Sequence, residues 1–145
     1  MADRIKLLTS LVQTTIDSAE GYERAADHAK STDLKQVLRN AAVERRQLVE
    51  KLNEELVRLG GQRQDSGSTT GKAHHLWTRI STAFKDKNEA ATERVEEGED
   101  YIDNRFREAL DEEDWDPTTR QVLQEAHAQV KQGERLTDQL KERYD

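Results

Sequence analysis

The feature that most constrains this chain is a seam of small and apolar residues at alternating spacings of three and four. Its members are Ile5, Leu8, Val12, Thr15, Ala19, Tyr22, Ala26 and Ala29. This spacing keeps every member on one face of an α-helix, whereas a half-buried strand would alternate with a period of two. The sequence contains no segment with such an alternation. It therefore predicts an all-α protein.

Similar seams and their capping residues predict three further long helices. Ser31-Thr32-Asp33 recaps the chain after the first helix, Gly60-Gly61 ends the second, and Asp116-Pro117 begins the last. At this length we expect one domain over residues 1–145. The long helices are predicted at residues 3–29, 33–59, 88–111 and 117–144.

The segment between the second and third long helices decides the topology. Residues 60–87 are predicted to form a crossover that contains a short helix at about 72–84. Because a connection of this size can travel the length of a bundle, we expect two antiparallel hairpins joined by a long crossover, as in ferritin-like four-helix bundles. An up-down-up-down bundle with a decorated loop is the alternative. The apolar face of the short helix consists of Leu76, Trp77, Ile80 and Phe84.

The balance of charges limits the kinds of partner. The chain has 30 acidic and 23 basic residues, a net charge of -7, and no cysteine. An acidic chain is a poor match for nucleic acid or an anionic membrane surface. No apolar run approaches the ~20 residues that a transmembrane helix needs. The absence of cysteine excludes disulfides and thiol chemistry and fits a reducing compartment, so we expect a cytoplasmic protein.

Several carboxylates are predicted at similar levels along the bundle, on the flanks of the apolar seams. A dimetal centre in such a bundle takes Glu-x-x-His from two of its helices. None of the histidines has an acidic residue three positions before it. We therefore expect no catalytic residue, cofactor or metal. The alternative is a protein that binds iron or another divalent metal for redox chemistry or storage, with degenerate ligands drawn from Glu20, Glu23, Glu44, Glu99, Glu134 and His127.

Arg45 occupies a position where the second helix should carry an apolar residue. It falls within about 25° of the centre of the seam, between Ala41 and Leu48. A buried guanidinium needs carboxylate partners, so we expect Arg45 to neutralise the carboxylate layer. The alternative is that Arg45 lies along a groove and reaches water. The expected polar core consists of Arg45, Tyr22, and the small residues Gly98 and Gly133 that leave room for them.

Several segments together resemble a known family. They are Glu20-Gly21-Tyr22 with Ala25-Ala26, Arg45, Asp65-Ser66-Gly67-Ser68 through Gly71 to His74 and Trp77, and Glu96-x-Gly98-Glu99-Asp100. In this order they resemble the bacterial ferritin-like four-helix-bundle family of unknown function that occurs in proteobacteria. The resemblance implies a ferritin-like bundle and no established activity. Related ferritin-like families act in stress responses, which implies a stress-associated role by kinship.

These observations predict a non-enzymatic bundle that acts through protein–protein contacts, including its own homodimer and an unidentified protein partner. The apolar face of the short helix is the expected interface. The alternative for that face is that it closes the end of the bundle. A nucleotide-binding loop at residues 67–72 is a third hypothesis, which lacks the preceding strand that such loops follow.

Overall fold

The structure is a computed structural model that describes residues 2–68, 72–85 and 91–144. Within these residues all regular secondary structure is helical, which confirms the predicted all-α class. The predicted start of the third long helix at residue 88 lies outside the described residues, as do the side chains of Phe84 and Glu134. The helices are α1 (Ala2–His28), α2 (Thr32–Arg58), α3 (Lys72–Lys85), α4 (Ala91–Leu110), α5 (Pro117–Lys131) and α6 (Gly133–Tyr144).

Local sequence signals explain where the helices begin and end. The Ser31 hydroxyl accepts a hydrogen bond from the backbone N–H of Leu34 at 3.0 Å and caps α2. The Asp116 carboxylate accepts one from the backbone N–H of Thr119 at 2.8 Å, with Pro117 in the first turn of α5. Gly60 follows α2 with a φ of 99°, a left-handed conformation that glycine adopts without steric cost.

The last predicted helix differs from the single helix expected over residues 117–144. It is divided at Gln132 into α5 and α6. The Gln132 backbone N–H is shared between the carbonyls of Ala128 at 3.3 Å and Gln129 at 3.2 Å, so the final turn of α5 tightens. The division falls where the backbone at Gly133 lies directly against buried side chains of the neighbouring helices.

The interior consists of two hydrophobic clusters stacked along the bundle. The first cluster combines the N-terminal half of α1 with the C-terminal halves of α2 and α4 and with α5. The second combines the C-terminal half of α1 with the N-terminal halves of α2 and α4 and with α3 and α6. Because α2 and α4 both enter the second cluster at their N-terminal ends, they run in the same direction. α1 and the α5–α6 pair run in the opposite direction.

The apolar face of α3 is buried, contrary to its expected role as an exposed interface. Leu76, Trp77 and Ile80 belong to the second cluster and are at most 7% exposed. α3 packs against α1 and α4, and these two helices cover the apolar face. The crossover helix therefore packs this face against its own chain. Among the described residues, no helix is both long and apolar enough to cross a membrane.

Candidate functional site

Four polar side chains meet at the boundary between the two hydrophobic clusters. They come from three helices: Ser18 and Tyr22 from α1, Arg45 from α2, and Glu99 from α4. All are buried, and the most exposed of them is Arg45 at 6%. On each helix the residues of the first cluster lie to one side and those of the second cluster to the other. We call this group the polar cluster.

The polar cluster is joined by hydrogen bonds that occupy both oxygens of one carboxylate. The Arg45 Nη2 donates to Glu99 Oε2 at 2.6 Å, which makes this contact a buried ion pair. The Tyr22 hydroxyl donates to Glu99 Oε1. The Arg45 Nη1 donates to the Ser18 hydroxyl at 2.9 Å. The guanidinium and the carboxylate therefore compensate each other inside the bundle, where an unpaired charge would be costly.

The surroundings shift the pKa values of the two proton donors in the polar cluster. Burial raises the pKa of Tyr22 well above its usual value, and the nearby charge of Glu99 raises it further. Burial alone would lower the pKa of Arg45, but the charge of Glu99, the influence of Tyr22 and the hydrogen bond to Glu99 together outweigh burial, and the net pKa of Arg45 is raised. Tyr22 is therefore a neutral donor and Arg45 a permanent cation at physiological pH.

A glycine lets the α5–α6 junction approach the polar cluster. A Cβ atom at Gly133 would lie 2.1 Å from Glu99 Oε2 and 2.8 Å from Arg45 Nη2, so no larger residue fits without displacing the ion pair. Gly133, which was expected to leave room for a large neighbour, therefore lies directly against Glu99 and Arg45. Gly98 instead makes room for α3, because a Cβ there would lie 2.9 Å from Ile80 Cδ1 and 3.0 Å from the Trp77 ring.

Trp77 contacts the polar cluster through Tyr22 and also lines a neighbouring cavity. Its ring is 5.1 Å from the ring of Tyr22 at an interplanar angle of 67°, an edge-to-face arrangement favourable for aromatic pairs. A Cβ at Gly21 would lie 2.7 Å from Trp77 Cε3, so α3 approaches α1 closely at this point. Trp77 is 1% exposed and also lines a cavity that opens beside α1.

This cavity, which we call the α1–α3 cavity, has a volume of about 320 Å³. Asp17 accepts a hydrogen bond from the Ser68 hydroxyl at 2.5 Å. A Cβ at Gly67 would lie 2.2 Å from Asp17 Oδ1, so the loop backbone packs directly on this carboxylate. The loop that follows α2 is thus anchored to α1. The lining residues are Asp17, Glu20, Arg24, Ser66, Gly67, Ser68, His74 and Trp77.

The Asp17 carboxyl has a perturbed pKa. Burial raises it above the usual value of 3.8, and the negative charge of Glu20 adds to this effect. The hydrogen bond from Ser68 and the electrostatic influence of His74 act in the opposite direction but do not cancel the shift. The ionised form of Asp17 is therefore incompletely compensated by the described side chains around it.

The structure separates the carboxylates that were expected to form a layer. Glu20 pairs with Arg24 at 3.1 Å, and Glu23 pairs with Arg46 at 2.7 Å, both on the surface. Glu44 is exposed. Of the expected carboxylates that the structure describes, Glu99 alone joins the polar cluster. The others occupy the flanks of their helices, where water and surface arginines are closer than the interior. Among the described side chains, the expected layer is therefore reduced to a single carboxylate.

His127 is also placed away from the polar cluster. Its Nε2 lies 2.6 Å from Asp103 Oδ1, and its ring stacks on Phe106 with centroids 6.4 Å apart. Asp103 additionally pairs with Arg107 at 3.1 Å. His127 thus belongs to a partly buried group on α4 and α5, separate from Glu99.

The side chains that the structure describes do not fit a ferritin-type metal centre. Within the described ranges, no three histidine, aspartate or glutamate side chains are grouped closely enough to hold a metal ion. Both oxygens of Glu99 already accept hydrogen bonds, and one of the donors is a cation. A positive guanidinium against the carboxylate opposes the binding of a second cation at the same place.

Sequence reasoning missed Ser18 and Asp17. Ser18 could have been found, because it lies seven residues after Leu11 and four before Tyr22 and so shares their face of α1. Asp17 gives no such signal. Its burial depends on the loop at Gly67 and Ser68, whose path the helical periodicity does not predict.

A known protein family matches the part of the chain that contains most of these residues. Residues 3–112 match the family described as a domain of unknown function (DUF2383). The matched segment includes the whole polar cluster and the α1–α3 cavity and ends before α5. No curated protein matches the sequence. Because the match covers most of the chain, the protein belongs to the DUF2383 family, a domain of unknown function.

Proposed function

We propose that this protein is a non-enzymatic, ferritin-like helical bundle that works by binding other molecules, with Arg45 as the internal counter-ion of Glu99. The observation that carries the proposal is the occupation of both Glu99 oxygens by donors of the chain itself, Tyr22 and Arg45. The parallel directions of α2 and α4, with α3 in the connection between them, support a ferritin-like arrangement of two hairpins and a crossover.

The energetics of the polar cluster favour a closed interior. A metal ion at Glu99 would have to displace Arg45 and leave its charge buried without a partner. Breaking a buried ion pair in this way costs about 3–5 kcal/mol. Tyr22 would also lose its acceptor, and an unsatisfied buried hydroxyl costs about 1–3 kcal/mol more. The middle of the bundle is therefore suited to holding the helices together and poorly suited to exchanging a ligand.

The remaining parts of the proposal concern setting and partners. We place the protein in the cytoplasm as a homodimer with an unidentified protein partner and no resident cofactor, and we assign it a stress-associated role. The net charge of -7 and the absence of cysteine support this setting. The family match supports a domain of unknown function and leaves the partner to experiment.

The metal-binding alternative makes an opposite prediction, so one experiment separates the two. The protein is refolded anaerobically with ferrous iron, desalted, and analysed for iron per chain, beside the variant Glu99→Gln. We expect wild type and variant to retain equally little iron, because Arg45 already neutralises Glu99. Two irons per wild-type chain, lost in Glu99→Gln, would overturn the proposal in favour of a dimetal protein.

A further inference from the structure

We propose that the α1–α3 cavity binds a primary ammonium group, with the carboxylate of Asp17 as its counter-ion. This inference deepens the proposed binding function and rests on it. Asp17 of α1, Trp77 of α3, and Ser66 and Ser68 of the loop that follows α2 all line the cavity.

The first argument is the missing positive charge at Asp17. Asp17 is 6% exposed, yet no described cation lies within ion-pair distance of its carboxylate. The arginine that lines the same cavity, Arg24, is bonded to Glu20 at 3.1 Å. The hydrogen bond from Ser68 stabilises the carboxylate without neutralising it. A buried carboxylate of this kind is costly unless a cation reaches it, and the adjoining cavity provides the space.

The second argument is the set of acceptors around the cavity. An ammonium group has three N–H donors and no acceptor. The Asp17 carboxylate and the serine hydroxyls offer acceptor atoms, and an ammonium is also attracted to an indole ring such as that of Trp77. The described residues form no group of three metal-ligating side chains, so the geometry favours an organic cation over a metal ion.

The size and the mouth of the cavity define the ligand further. Its volume of about 320 Å³ is at the small end of ligand pockets, so the cavity suits a short alkyl amine better than a large cofactor. Glu20 and Arg24 stand at the mouth with 32% and 50% of their side chains exposed and neutralise each other. One incompletely compensated carboxylate, that of Asp17, thus remains, and the cavity is suited to a single positive charge.

Two sources could supply this group: a free alkyl amine or the lysine side chain of a partner protein. The test uses the two indole N–H signals of the full chain in nitrogen-15 NMR spectra. Trp77 reports on the cavity, and Trp115 lies in the first hydrophobic cluster and serves as an internal control. The variant Trp115→Phe assigns the signals. The probes are butylammonium chloride and acetyl-lysine methylamide, with butan-1-ol and sodium chloride as controls for the alkyl chain and for ionic strength.

We expect saturable shifts of the Trp77 signal with an ammonium probe and none with the two controls. Binding of both probes indicates a site open to free amines, whereas binding of the lysine derivative alone identifies a partner's lysine. Asp17→Asn should weaken binding at least about tenfold. Asp27→Asn makes the same charge change at an exposed position of α1 and should bind like wild type.

Three results would overturn the inference: no response of Trp77 to either probe, equal responses to butylammonium and butan-1-ol, or equal binding by Asp17→Asn and wild type. Ser68→Ala is the second variant, with a severalfold loss expected, and decides the matter if Asp17→Asn does not fold. A negative result with the amine probes does not affect the expected absence of retained iron. Stoichiometric iron would contradict the proposed function, whether or not the amine probes bind.

Discussion

Arg45 and Glu99 form an ion pair of 2.6 Å that links the middle of α2 to the middle of α4, although 54 residues separate them in sequence. The pair lies at the boundary of the two hydrophobic clusters. Hydrophobic contacts alone tolerate small shifts of one helix along another. We expect a charged contact with defined partners to oppose such shifts, and we therefore predict that the pair specifies the register of α2 and α4.

Replacing Tyr22 by phenylalanine removes one of the two donors to Glu99 and keeps the ring that packs on Trp77. We expect the free energy of unfolding to fall by about 1–3 kcal/mol, because a buried carboxylate oxygen loses its partner. Urea titration followed by circular dichroism measures the change. Ser18→Ala, which removes an uncharged acceptor from Arg45, should cost less. A Tyr22→Phe variant as stable as wild type would show that the hydroxyl adds nothing.

Replacing Gly133 by alanine places a methyl group 2.1 Å from Glu99 Oε2. We expect a loss of about 1–3 kcal/mol from the forced displacement of the ion pair, even though alanine favours a helix by about 1 kcal/mol over glycine. Thermal melting is the measurement, with Gln132→Ala as the exposed neighbour for comparison. If Gly133→Ala melts at a higher temperature than wild type, the α5–α6 junction accommodates the added methyl group and the prediction is wrong.

Glu55 makes stability depend on pH at the opposite end of the bundle. Burial opposes its ionisation, but hydrogen bonds from Arg58 and Thr119 outweigh burial and lower its pKa below the usual 4.5. The unfolded chain therefore takes up the proton first as pH falls. The contribution of Glu55 to stability is complete above pH 4.5 and is lost as pH falls through the lower folded-state pKa.

In urea titrations between about pH 7 and about pH 3, Glu55→Gln should lose less stability on acidification than wild type. The exposed neighbour Glu54 provides a matched control, since Glu54→Gln should follow the wild-type curve. Parallel curves for wild type and Glu55→Gln would contradict the role given to Arg58 and Thr119.

Self-association as a homodimer stays a prediction and needs another surface than the buried face of α3. Among the described residues, the large apolar side chains most exposed are Val43 at 55% and Val57 at 54%, on α2. They lie on nearly the same side of the helix. We expect sedimentation to show a concentration-dependent dimer that Val43→Gln with Val57→Gln weakens severalfold. If the wild-type chain sediments as a monomer at every concentration, the prediction of a homodimer is wrong.

Periodicity predicts the helical class and the inward direction of Arg45, because angular position on a helix determines which side chains face a core. It does not decide between Glu99 and the other flank carboxylates. Glu23 occupies a comparable flank position, yet it pairs with Arg46 on the surface. The difference comes from the tertiary neighbours Tyr22 and Arg45, which attract Glu99 inward.

The apolar face of α3 shows a second limit of sequence reasoning. An amphipathic pattern in Leu76, Trp77 and Ile80 indicates that this face avoids water, but the pattern is the same whether α1 and α4 or another chain covers it. The close approach of α3 depends on Gly21 and Gly98, two small residues far apart in sequence. Their joint effect becomes visible once the helices are placed in three dimensions.

A double-mutant cycle tests the central claim most directly, namely that Arg45 neutralises Glu99 inside the bundle. The free energies of unfolding of wild type, Arg45→Met, Glu99→Gln and the double variant are measured in urea. Arg45→Met should lose about 3–5 kcal/mol, because Glu99 is left buried without its cation. The double variant should lose less than the sum of the single losses by about 2 kcal/mol or more. Additive losses would contradict the claim and show that the two side chains act independently.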